Sequence, residues 1–370
     1  MKVKIFCILV FALSVHTVSS QVNVPFDSDK WMLPEGQAQI ENYLGEKSLF
    51  LTAGIAYLKD TEMRNGIIEF DIAVPETRGF AGAIFRQTAP DNYEEFYLRM
   101  HQSGNPDATQ YTPVFNGLAG WQLYFGPGFS ESFSMDFDQW MHVKIVIWEN
   151  QGEIYVRDME KPLISMHDLK QEPSSGRMGL KVNPGLAPAH YANFRYQVLD
   201  SPPFPEKTIE TTTPPKGLIK KWMVSRAFPE VWFDKFQLHF KESDLPARDW
   251  TILKTEPDGL ANFSRITPRP VENNTVFARL VLTASETHIQ PLEFGFSDRV
   301  RVYVNGTIIF SGNDAYITRD YRFLGSIGYF DTVFLPLKKG RNDILIAVSE
   351  GFGGWGLRGK LLEPEKVIVE

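Results

Sequence analysis

The residues best suited to chemistry cluster between positions 86 and 122. Arg86, Tyr97, Arg99, His101, Asn105, Asp107, Gln110, Tyr111, Trp121 and Gln122 fall within 37 positions, and several share one face of a strand. Aromatic rings stack on the apolar faces of sugar rings, while guanidinium, amide and carboxylate groups hydrogen-bond vicinal hydroxyls. Arg86, Tyr97, Arg99, His101, Asp107, Gln110, Tyr111 and Trp121 are therefore the expected ligand-binding set. Were the ligand also turned over, Arg86, His101 and Asp107 would be the candidate catalytic groups, with His101 as acid or base.

Other chemistries find little support. Glu69 and Asp71 alternate on one strand, but the third position that a carboxylate pair would need is Ala73 or Val74. Both acids are read as solvent-face strand residues. The seven histidines show no metal-binding spacing, and no nucleophile elbow or phosphate loop occurs. No metal or other cofactor is expected. Calcium stays open only at Asp136 and Asp138, which flank Phe137 without an oxygen-rich loop beside them.

Period-two alternation must position the candidate residues. Ile68, Phe70 and Ile72 face one way and Ile67, Glu69 and Asp71 the other. In Glu95–His101, Phe96, Leu98 and Met100 oppose Tyr97, Arg99 and His101. Further strands are expected at Phe80–Gln87, Trp121–Phe125, Arg177–Val182 and Tyr191–Val198, with Gln102–Pro113 a rim loop. Asp138–Val156 reads as a hairpin that turns at Asn150-Gln151-Gly152, and Asn305-Gly306 as a type I′ hairpin turn. Ile219–Ser225 is expected to give a turn of helix at most, and Gly351–Gly356 to end a strand with Trp355 packed inside. The chain is all-β: two β-sandwich (jelly-roll) domains in tandem.

The order GIIEFDI, Phe85-Arg86, DQWMHV and Gly-x-Met-Gly-Leu resembles the concanavalin A-like and laminin-G-like sandwiches over most of residues 40–198. Phe85-Arg86 also matches a position in bacterial 3-keto-disaccharide hydrolase-type domains. In the second half, Val302-Tyr303-Val304-Asn305-Gly306 and the later Leu335–Val348 pattern resemble the galactose-binding-like jelly roll. These resemblances imply sugar-handling scaffolds.

Ser201–Lys216 holds five prolines and a threonine run, so it reads as a linker between domains at 22–200 and 217–370. Residues 1–20 read as a signal peptide: Lys2 and Lys4, then an apolar run, then Val18-Ser19-Ser20. The one cysteine, Cys7, lies inside it, and a cysteine-free remainder suits an exported bacterial protein, periplasmic or extracellular. A formal charge of −7 argues against nucleic acid as partner, and the short apolar run against a stable membrane anchor. The expected partner is a carbohydrate, captured or degraded. The alternatives are a hydrolase acting on a glycan or modified disaccharide, and a non-catalytic adhesion module.

Overall fold

The computed structural model describes residues 20–204, 214–236, 238–268 and 272–370. Most of the expected signal peptide and the middle of the expected linker lie outside the described residues. Among the described residues there is no α-helix; the chain is strands, short 3-10 turns and loops. None of the described segments is a helix long and apolar enough to cross a membrane.

Alternation produces the strands, and burial of one face pairs the sheets. In the first half, one sheet runs Ile164–Met166, Gln151–Val156, Met141–Trp148, Gly66–Ala73, Ala189–Val198, Glu46–Leu51, Ala38–Tyr43. The other runs Leu118–Ala119, Thr109–Phe115, Asn92–Arg99, Phe80–Ala89, Gly176–Val182, Gly54–Met63, Trp31–Met32. All pairings are antiparallel. Ile68, Phe70, Ile72, Val143 and Ile145 from the first sheet meet Phe96, Leu98 and Leu180 from the second, each 1% exposed or less.

Two more sheets, drawn from residues 221–369, form the second sandwich. Its core joins Val300, Val302 and Val304 to Leu335, Ile344 and Ile346. Phe228, Phe233, Phe240 and Leu245 lie across the outer face of the larger sheet. That cover leaves Tyr303 fully buried.

The Asn305-Gly306 turn takes positive φ at both residues (51° and 80°), as a type I′ turn requires. The first hairpin turns one residue earlier than expected: Trp148 pairs with Gln151, so Glu149 and Asn150 make the turn. Lys221–Ser225 is a strand, not a helical turn, because it pairs on both sides with Trp250–Lys254 and Thr275–Ala284. Trp355 is buried, and its indole donates to Val348 O at 3.0 Å.

Trp121–Phe125 is not a strand. Leu123 N and Tyr124 N both bond Gly120 O, which closes a tight turn. The turn plugs into the second sandwich. Gln122 Nε2 donates to Leu324 O at 2.8 Å, Ser297 Oγ donates to Gln122 Oε1 at 3.2 Å, and Gln122 N bonds Gly353 O at 2.9 Å. A Cβ on Gly353 would sit 2.2 Å from Gln122 Oε1, and φ there is +104°. Glycine is thus required where this plug is received. Below it, Glu256 of the second sandwich accepts from Tyr124 OH and pairs with Lys170 of the first at 2.8 Å and Arg265 at 3.0 Å.

Candidate binding cavity

The outer face of the second sheet carries the candidate site. Its rows follow from register: Lys181 pairs with Gly82, Gly82 with Tyr97, and Tyr97 with Gln110. Phe80 pairs with Arg99. Because side chains alternate, Glu95, Tyr97 and Arg99 project from this face while Phe96 and Leu98 fill the core.

Over these residues lies a cavity of about 380 Å³. Tyr97, Arg99, His101, Asp107 and Trp121, all expected in the site, line it. Phe80, Glu95, Lys181 and Arg78 join them from the same sandwich, and Tyr316 and Phe352 from the second. Trp121 meets both of the latter edge-on, at ring-centre distances of 5.9 and 5.8 Å.

Two ion pairs make the polar part of the wall, Arg99–Asp107 buried at both ends and Lys181–Glu95 with a buried carboxylate and a half-buried lysine. Arg99 Nη1 donates to Asp107 Oδ2 at 2.8 Å and to Asp107 O at 2.7 Å, while Nη2 donates to Tyr97 OH at 3.2 Å. The guanidinium also lies 5.2 Å from the Trp121 ring centre and 5.8 Å from that of Phe80. Lys181 Nζ donates to Glu95 and, at 3.1 Å, to Tyr93 OH. Burial pulls the Lys181 ammonium down, but Glu95 and Tyr93 outweigh it and hold its pKa above the ordinary value. Burial, reinforced by Arg78 and Arg99, lowers the pKa of His101, so its imidazole is neutral at pH 7.

Three expected residues lie elsewhere. Arg86 is 1% exposed and donates to Arg64 O at 2.9 Å and Asn65 Oδ1 at 3.3 Å. A bulge follows Phe85, and Arg86 takes φ of +50°, so simple alternation fails at this residue. Tyr111 faces the core side, where its hydroxyl donates to Glu94 at 2.9 Å. Gln110 stands in the Lys181–Tyr97 row, but the 121–125 turn covers it and Tyr124 O takes its amide at 2.7 Å. The trio Arg86, His101 and Asp107 is therefore not assembled.

Glu69 and Asp71 are not simple solvent-face residues. His142 bridges them, with Nδ1 2.6 Å from Asp71 and Nε2 3.1 Å from Glu69, and Arg195 also pairs with Glu69. This cluster sits on the other sheet of the sandwich. Burial pushes Glu69 up, but His142 and Arg195 prevail and bring it to about 2. Bonds to Asp71 and then Glu69 raise His142 to about 9. Asp136 is engaged by Arg157, and no group of three or more metal-ligating side chains occurs among the described residues.

Of the residues that sequence reasoning missed, Lys181 carried a signal. Arg177, Gly179 and Lys181 alternate with the buried Met178 and Leu180, so Lys181 had to face outward. Tyr316 and Phe352 carried none, because only the packing of one sandwich on the other brings them to Trp121.

No family model matches the sequence, and no curated protein does. Among solved structures, a carbohydrate-binding module (CBM66) from Bacillus subtilis is similar at 16% identity, covering 49% of this chain and 97% of its own, with a TM-score of 0.33. A Bacillus subtilis protein of unknown function with a galectin-like fold is similar at 11% identity, covering 48% and 94%, with a TM-score of 0.37. A xylan β-1,4-xylosidase from Bacillus halodurans is similar at 14% identity, covering 47% of this chain and 38% of its own, with a TM-score of 0.35. At such identities and overlaps no residue role is carried across, and the family of this chain is not set by them.

Proposed function

We propose that the cavity between the two sandwiches binds a carbohydrate, in a protein that captures or degrades glycans. The observation that carries this reading is the wall itself. Tyr97, Phe80 and Trp121 from one sandwich and Tyr316 and Phe352 from the other surround the Arg99–Asp107 and Lys181–Glu95 pairs. Rings accept the C–H faces of a pyranose, and pre-paired charges present fixed donors and acceptors to its hydroxyls. The interior pairs neutralise one another, so they favour a polyhydroxylated ligand over a strongly charged one. An exported location accords with this role and with the expected leader.

A hydrolase acting on the bound glycan is the second reading. It draws on His101, which is neutral, borders the cavity and is thus suited to accept a proton. Retention of the chain on a broad panel of immobilised glycans tests the first reading, with product release from each retained glycan testing the second. Selective retention is the expected result. Retention by no glycan would overturn both readings and leave protein docking as the role of the sandwiches.

A further inference from the structure

The charges around the cavity do not cancel. Arg99 is matched by Asp107 and Lys181 by Glu95. Arg78 is the third cation of the lining, and it forms no ion pair among the described residues. It is exposed, with its guanidinium 6.0 Å from the Phe80 ring centre. Three cations thus face two carboxylates, and His101 adds no charge at neutral pH. The chain as a whole carries a formal charge of −7, so this is a local cationic point on an acidic protein.

We propose that Arg78 makes the cavity select a sugar bearing one anionic substituent, a carboxylate or a sulfate ester, seated at the rim beside Phe80. This inference rests on the carbohydrate reading above. A guanidinium presents parallel N–H groups that suit either anion bidentately, and its exposure leaves it free to turn toward the ligand. The two paired cations are already satisfied and would surrender a buried carboxylate partner if they turned to an anion. The acidic surface elsewhere disfavours a polyanion that makes many contacts. Recognition of one charge therefore implies a shallow dependence on salt.

The test uses the full chain and matched pairs of oligosaccharides followed by calorimetry. Suitable pairs are galacturonate oligomers against neutral galacto-oligomers, glucuronate-bearing against plain xylo-oligomers, and singly sulfated against unsulfated galacto-oligomers. The expected result is that in at least one pair the charged member binds roughly fivefold tighter, the scale of one partly exposed ion pair. Arg78→Ala should abolish that preference, bringing the charged member's affinity down to that of its neutral partner, while Arg78→Lys should keep part of it. Since Arg78 is exposed, neither variant should affect folding. Which pair responds separates carboxylate from sulfate. Neutral members binding as tightly as their charged partners, or a preference that survives Arg78→Ala, would overturn the charge inference alone. Binding to no member of any pair would overturn the charge inference, and retention by no glycan of the broad panel would overturn the carbohydrate reading with it.

Discussion

Glu256→Gln is expected to weaken the whole molecule more than its single-atom change suggests. Glu256 belongs to the second sandwich, and its side chain is 10% exposed. It balances Lys170 at 2.8 Å and Arg265 at 3.0 Å, and accepts from Tyr124 OH. Burial pushes its carboxyl up, but Lys170 and Arg265 outweigh burial and hold it below its ordinary pKa. Glutamine keeps the shape but removes the charge, which turns a roughly neutral cluster into a cationic one. Lys170 retains Asp168 at 2.7 Å, whereas Arg265 is left with Lys170 O at 3.2 Å and the face of Phe115. Removing one partner of a buried pair costs about 3–5 kcal/mol, and the surviving Asp168 contact argues for the lower end, about 3 kcal/mol. Denaturant unfolding followed by fluorescence and circular dichroism measures this. The wild-type sandwiches should unfold together. The variant should lose about 3 kcal/mol and show separated transitions, because the seam that couples them is weakened. Adding Arg265→Met to Glu256→Gln should recover part of the loss by removing the stranded cation. A single-variant loss below about 1 kcal/mol, with one transition, would refute the reasoning, since it would mean the cluster behaves as a solvated surface pair.

Tyr316→Ala and Phe352→Ala should each weaken glycan binding by about 1 kcal/mol, read by calorimetry, although both residues lie in the other sandwich from Arg99; Phe352 is 58% exposed, so its removal should leave stability intact. His142 sets a pH dependence. Its folded pKa, about 9, lies above the ordinary 6.5, so its stabilisation is complete below pH 6.5 and drains as pH rises toward 9. Glu69 works in the opposite range: its contribution is complete above pH 4.5 and is lost as pH falls toward 2. His142→Gln should therefore flatten the stability profile between pH 6.5 and 9, removing on the order of 2 kcal/mol at neutral pH, with denaturant midpoints across pH as the readout. Arg86→Ala should destabilise the chain by about 3 kcal/mol in the same assay, through the loss of its buried packing and of the bonds to Arg64 O and Asn65. Glycan affinity should be unchanged, since Arg86 lies outside the cavity.

Where alternation is undisturbed, the sequence was a good guide. Phe96 and Leu98 went to the core, and Tyr97 and Arg99 to the opposite face, because the strand Asn92–Arg99 pairs without a break along that stretch. Asp107 could be anticipated from the loop that returns beside Arg99. Arg86 could not, because the bulge after Phe85 changes the side chain's direction and is invisible to a period-two count. Gln122 and Tyr124 alternate as a strand would, yet they are buried by a second sandwich more than 130 residues away in sequence. The same distance hid Tyr316 and Phe352. His142, Glu69 and Asp71 are adjacent only through strand register, so their hydrogen-bonded cluster became visible with the pairing of Met141–Trp148 on Gly66–Ala73. Residues set by local period were legible, and those set by bulges, register and contact between sandwiches were not.

The most direct test is calorimetric titration of the best-retained glycan into the wild-type chain, Trp121→Ala and Arg86→Ala, with the fold of each checked by circular dichroism. Trp121 touches the Arg99 guanidinium and both rings from the second sandwich, and its loss should cost about 2 kcal/mol of binding, close to thirtyfold. Arg86→Ala should bind as the wild type does. Folded Trp121→Ala with undiminished affinity would contradict a carbohydrate site in this cavity.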